Sequence, residues 1–154
     1  MNKLREKRKM GPLTVRADKL WQSAIVRVSA RMCGRGRPED LAVIYQMDDE
    51  EARKWMKAES NRKNGLAAMH ENTEDETELS TVAPAQESII GYITTGNFSL
   101  SLGEGSAIGA IPVARLLELK EQAKRLGAGS ILLVKVRDRH EIICRAARLE
   151  VLAD

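Results

Sequence analysis

The sequence predicts an α+β domain: a small, mostly antiparallel β-barrel or curled sheet with one packed amphipathic helix and a disordered acidic insertion. Three observations lead there. The chain has 154 residues, 43% hydrophobic and 31% charged, the balance of one soluble domain with a packed core. Its apolar residues recur mostly at strand period in short runs broken by Gly, Asn, Asp and Pro, and at strong helical period after Pro112. Its charges are segregated, with residues 1–37 summing to +9, 38–88 to −8 and 89–154 to +2, so a basic arm and an acidic linker flank a near-neutral fold. Aromatics make up only 3% (Trp21, Tyr45, Trp55, Tyr92 and Phe98), so aliphatic side chains must build the core and base-stacking platforms are not expected.

Residues 1–20, with Lys3, Arg5, Lys7, Arg8 and Lys9, carry too little apolar surface to repay their ordering and read as a flexible basic arm. Residues 21–152 read as one barrel-like domain. From Ala24 to Met32 the pattern alternates, with Val26, Val28, Ala30 and Met32 on one strand face and Ile25, Arg27, Ser29 and Arg31 on the other. Gly34-Arg35-Gly36-Arg37-Pro38 cannot continue a strand and sets two guanidinium groups on a turn-prone loop. Glu39 to Tyr45 is expected to make one or two helical turns. A stronger helix begins at Asp48 or Asp49, where an aspartate can cap free amides, and runs to about Ser60.

Residues 61–87 are polar and aperiodic and are expected to form a disordered linker. Ser88 to Thr95 then reads as a strand and Gly96-Asn97 as a turn, with Ser106 to Ile111 a second strand after the flexible Gly103-Glu104-Gly105. Pro112 is expected as the first residue of the amphipathic helix. Val113, Leu116, Leu117, Leu119, Ala123 and Leu126 alternate with Lys120, Glu121, Lys124 and Arg125 at helical spacing, and Gly127 supplies the stop. Ile131 to Arg137 and Glu141 to Ala147 finish the fold as two strands joined at Asp138-Arg139-His140, with Leu149 and Val151 extending the second. Leu132, Val134 and Val136 form the buried face of the first; Ile131, Leu133, Lys135 and Arg137 form the other.

Few groups suit catalysis. His70 lies in the linker and His140 in a turn, no nucleophile elbow surrounds Ser99 or Ser101, and Cys33 and Cys144 read as small hydrophobes of a reducing compartment. The run Asp48-Asp49-Glu50-Glu51 suits a helix amino terminus better than a metal, because adjacent helical positions do not face one another. Gly103, Gly105 and Gly109 fail as a phosphate cradle, since a strand separates them from the helix, and read as sites of tight turning or close backbone approach. No cofactor or metal is expected. No apolar run approaches the roughly 20 residues that span a bilayer, so no membrane partner is expected.

Arginine is what remains. Arg27 and Arg31 on one strand face, Arg35 and Arg37 on the next loop, and Lys135, Arg137, Arg139 and Arg145 on the closing hairpin are candidates for one RNA-binding surface, because forked guanidinium donors match phosphate oxygens. Ordinary surface solvation explains the same residues. A phosphate-gripping surface of this kind is sensitive to salt and carries little sequence information.

The stretches Ser23 to Val28, Gly34 to Tyr45, and Ile90-Gly91-Tyr92-Ile93-Thr94-Thr95-Gly96-Asn97-Phe98-Ser99-Leu100-Ser101-Leu102-Gly103-Glu104-Gly105 resemble the carboxy-terminal region of the largest protein subunit of eukaryotic ribonuclease P and ribonuclease MRP. That region is in turn similar to the terminal barrel of the glycine-cleavage aminomethyltransferase. Gly91, Ile93, Thr94, Thr95 and Gly96 match its strand and turn, while Ser99-Leu100 replaces its Ser-Pro. The resemblance implies a barrel retained without aminomethyl transfer, in a protein that is not itself an enzyme. It implies a scaffold for a catalytic RNA that removes 5′ leaders from precursor transfer RNA or processes ribosomal RNA. The partners implied are the ribonuclease P/MRP RNA, the other protein subunits and, indirectly, precursor transfer RNA, in the nucleus and its nucleolus. Two alternatives stand beside it: a folate-binding remnant of the transferase barrel, and a protein-docking barrel that uses apolar faces near Trp21, Trp55 or Phe98 without touching RNA.

Overall fold

A computed structural model describes residues 2–12, 19, 21, 23–33, 36–63, 84–99 and 104–152. Six strands close a barrel: β1 (Ile25–Met32), β2 (Val43–Gln46), β3 (Ile89–Ser99), β4 (Glu104–Pro112), β5 (Leu132–Arg137) and β6 (Arg145–Val151). Around the barrel their order is β1-β4-β3-β2-β5-β6, every neighbouring pair antiparallel, and β6 pairs back to β1. Among the described residues the α-helices with both ends placed are α1 (Asn2–Lys7), α2 (Asp49–Lys63) and α3 (Val113–Leu126). The expected small α+β barrel is therefore present, and closure leaves no open edge where all six strands pair.

Alternation decides which side chains enter. Val28, Ala30 and Met32 of β1, Ile44 of β2, Ile93 of β3, Ala107 and Ile111 of β4, Val134 and Val136 of β5, and Ala147 and Leu149 of β6 fill the interior. Leu116, Leu119 and Ala123 of α3 join the same cluster. Since α3 links the end of β4 to the start of β5, strands that are not neighbours, it crosses and stoppers that end of the barrel. Each Val, Ile, Leu or Met side chain removed from water contributes about 1.5–3 kcal/mol, so the larger aliphatic residues of this interior compensate for the shortage of aromatics.

α3 begins and ends as its sequence dictates, with one shift. Pro112 closes β4 and serves as the N-cap rather than the first helical residue, and Val113 N donates instead to Ala24 O at 2.9 Å. Gly127, at φ 67°, ends the helix, with Ala128 N bonded to Ala123 O and Gly127 N to Lys124 O, a Schellman pair.

Four expectations are corrected. Val43–Gln46 is a strand, not part of a helical turn, because β3 and β5 offer hydrogen-bonding partners on both sides. Gly96-Asn97 is not a turn: β3 continues to Ser99 opposite β4, which starts at Glu104, and any turn lies within 100–103, outside the described residues. The β5–β6 connection is longer than three residues, because β6 begins only at Arg145. The outer face of β5 is not open: Leu133 and Lys135 are each only 7% exposed. α2 explains the last point, since Ala52, Trp55 and Met56 form an apolar stripe that packs with Met47, Leu133, Ala146 and Cys33 outside the barrel.

Residues 61–63 of the expected linker finish α2, Gln86–Ser88 form a 3-10 turn, and 64–83, with His70, lie outside the described residues. Within the expected basic arm, α1 is closed by its own hydrogen bonds, Met10 N to Arg5 O and Arg5 Nε to Gly11 O.

Candidate nucleic-acid interface

The register sets one end of the barrel apart from the end covered by α3. The ends of β1, β3 and β5 and the starts of β2, β4 and β6 meet there. The loop between β1 and β2 crosses this rim. Pro38 is fully buried, and an added Cβ on Gly96 would collide with the Pro38 carbonyl oxygen, as one on Gly105 would with that of Gly36. These two glycines are therefore required by close backbone approach. Asp138, 7% exposed, ties the rim together: Oδ1 accepts from Glu39 N at 2.8 Å and Oδ2 from Arg145 Nη2 at 2.6 Å, while Arg145 Nη2 also donates to Arg37 O at 3.2 Å.

The candidate basic residues fall in three places. Arg27 and Arg31 stand exposed on the outer wall of β1, and Arg31 Nη2 lies 3.9 Å from Glu150. Arg37 and Arg139 are exposed at the rim, where the half-buried Arg145 braces the Arg37 carbonyl and Asp138. Lys135 and Arg137 lie on the outer face of β5 near α2. Lys135 Nζ donates to both Glu51 oxygens at 2.6 and 2.8 Å, and Arg137 Nη2 donates to the Tyr45 hydroxyl at 2.7 Å with its guanidinium 5.6 Å from that ring's centroid. Arg137 Nε is buried without a partner. Arg35 lies outside the described residues. The single converging surface expected from the sequence is thus divided, because Glu51 of α2 holds Lys135 and Tyr45 of β2 holds Arg137.

The four consecutive acids each have a structural task. Asp48 Oδ1 accepts from Glu51 N at 2.7 Å in a capping box, Asp49 meets Gln122 and Arg125 of α3 at 2.9 and 3.1 Å, Glu50 pairs with Lys54 at 3.3 Å, and Glu51 takes Lys135. Hydrogen bonds from Gln122 and Arg125 hold the Asp49 carboxyl below its ordinary pKa. Burial pushes the Cys144 thiol up, so it behaves as a small apolar side chain. Among the described residues no group of three or more His, Cys, Asp or Glu is arranged to hold a metal, and no helix is long and apolar enough to cross a membrane.

Sequence reading missed Arg148, although its alternation with the inward Ala147 and Leu149 signals an outward position. In the β1–β6 register it stands directly opposite Arg31. The wall of β1 therefore continues as a basic row onto β6.

The sequence profile of the POP1 C-terminal domain matches residues 60–153, more than half of the chain. The chain belongs to the POP1 C-terminal domain family. Among curated proteins, the "Ribonucleases P/MRP protein subunit pop1" of Schizosaccharomyces pombe is 36% identical over 84 residues, 54% of this chain and 11% of that protein. The "Ribonucleases P/MRP protein subunit POP1" of Saccharomyces cerevisiae is 30% identical over 87 residues, 56% of this chain and 9% of that protein. The chain spans about a tenth of the length of these relatives. The resemblance expected from the Gly91 to Gly105 stretch is thus upheld at family level. In structural terms the POP1 C-terminal domain match covers β3 to β6 with α3, and leaves β1 and β2 outside it.

Proposed function

We propose that the chain is a noncatalytic RNA-binding scaffold module of the ribonuclease P/MRP ribonucleoprotein, working in the nucleus and nucleolus beside other protein subunits. Cleavage of precursor transfer RNA leaders and of ribosomal RNA precursors then belongs to the RNA. The observation that carries this reading is the outer wall of β1, where Arg27 and Arg31 project into solvent from a rigid sheet. Arginines carried on a sheet keep a set backbone spacing, and their guanidinium groups fork to match phosphate oxygens. Arg37 and Arg139 extend the surface at the rim, with Arg145 positioning the loop that carries Arg37. The names of the two yeast relatives support the choice of complex.

The test is RNA binding by the chain across a salt series. Replacing Arg27, Arg31, Arg37 and Arg139 with alanine should weaken binding to a folded RNA and lower the slope of log affinity against log salt by about 0.9 for each duplex phosphate no longer neutralised. Circular dichroism should remain unchanged, because none of the four supports the core. Equal affinity and slope in the variant would reject this surface.

A further inference from the structure

A groove of about 680 Å3 opens between α3 and β6, at the end of the barrel away from the arginine rim. Its size lies in the range that holds small ligands, roughly 300–1,000 Å3. Lys120 of α3 stands on one side and Arg148 of β6 on the other, with the Gly129-Ser130 turn, Ile131 and Val151 between them. Ile131 is 37% exposed and Val151 43%, so the groove presents aliphatic surface to water as well as charge.

The charges are asymmetric. Glu150 also borders the groove, but its carboxylate lies 3.9 Å from Arg31 on the β1 side. Arg148 belongs to two features at once, since it lines the groove and stands opposite Arg31 in the strand register. A polyanion following the outer wall past Arg27 and Arg31 meets Arg148 next in the register, at the mouth of a groove that also presents aliphatic surface.

We infer that this groove receives one unstacked nucleotide of single-stranded RNA, its base against Ile131 and Val151 and its flanking phosphates on Lys120 and Arg148. This rests on the RNA-binding reading above and adds a site to it. A base placed between aliphatic side chains loses its apolar faces from water without needing an aromatic platform. RNA exposes such splayed bases in loops and bulges, where proteins reach their edges. A partner helix would need a longer apolar stripe than this slot offers.

The experiment is a titration of backbone amide resonances of the full chain with oligouridylate tetranucleotide, a short RNA duplex, inorganic phosphate and tetraglutamate in separate arms. The tetranucleotide should shift Gly129, Ser130, Ile131 and Val151. Lys120→Ala and Arg148→Ala should each weaken it several-fold, and Ile131→Asp should weaken it on the order of tenfold, with thermal midpoints retained. Unmoved groove amides with a duplex that still binds would overturn the groove and leave the RNA reading standing. Binding by neither RNA would overturn both. Equal shifts at equal affinity from phosphate alone would reduce the groove to an anion site, and from tetraglutamate would assign it to acidic peptide; either result overturns the inference.

Discussion

At the scale of single residues, cations of identical chemistry have unlike roles according to what covers them. Arg31 and Lys135 both point away from the barrel interior, yet Arg31 meets solvent while Lys135 is only 7% exposed beneath α2 and bonded to Glu51. A lysine in that position is structural. Lys135→Ala leaves the Glu51 carboxylate half-covered and without its strongest partner, at a cost of about 2–4 kcal/mol in urea denaturation. The double change Lys135→Met with Glu51→Leu removes both charges and fills the same space, and should return to within about 1 kcal/mol of the parent. RNA affinity should be unaffected by either, which separates this cation from those on the wall of β1. The sequence groups Lys135 with the arginines because strand alternation reports only which side of a sheet a residue occupies. Whether a helix then lies over that side is a long-range fact. The outward placement of Arg27 and Arg31 was legible because no described helix covers β1.

At the scale of elements, α2 shows how a local signal and a tertiary contact combine. Its start was legible to within one residue, since an aspartate at Asp48 or Asp49 can cap free amides, and the structure selects Asp48, with Glu51 N donating to Asp48 Oδ1 at 2.7 Å. Asp48→Ala should cost about 1 kcal/mol. Asp49 instead ties α2 to α3 through Gln122 and Arg125, which hold its carboxyl below the ordinary range. A group whose folded pKa is lowered contributes stability above its unfolded value of ~3.9, and loses that contribution as pH falls through the folded value. Asp49→Ala should therefore lower the thermal midpoint at neutral pH, and the gap from the parent should shrink as a series of melts is carried below about pH 4. By contrast β2 was misread, because Leu41 to Tyr45 is a short apolar run with no period to choose between helix and strand. The choice came from Val43, Ile44 and Tyr45 finding partners in β3 and β5 at once. α3 needed no such arbitration, since four buried positions at helical spacing and Gly127 specify it locally.

For the whole molecule, closure depends on strands distant in sequence from those they join. β3 pairs with β4 and β5 with β6 as two antiparallel pairs, but neither pair hydrogen-bonds to the other. β1 bridges β4 to β6 on one side and β2 bridges β3 to β5 on the other, and both bridges precede residue 60. The stretch 60–153 that carries the family match thus contains two paired-strand ribbons and a helix, but not the strands that make them a barrel. Without β1 and β2 the inner faces of Ile93, Ile111, Val134 and Leu149 are stripped of cover on both sides, and four new strand edges open to water. Isolated two-stranded ribbons are marginal in water. A fragment beginning at residue 60 should show no cooperative thermal transition, whereas the full chain should melt in one step. Mixing that fragment with a peptide of residues 1–59 should restore the transition only if the peptide carries both strands. Breaking the β1 alternation by Val28→Asp should abolish the rescue, because a carboxylate would then enter the barrel interior where Val28 is fully buried. A cooperative melt from the fragment alone would mean that the two ribbons can close on each other, and that β1 and its arginines are an addition to the core rather than part of what forms it.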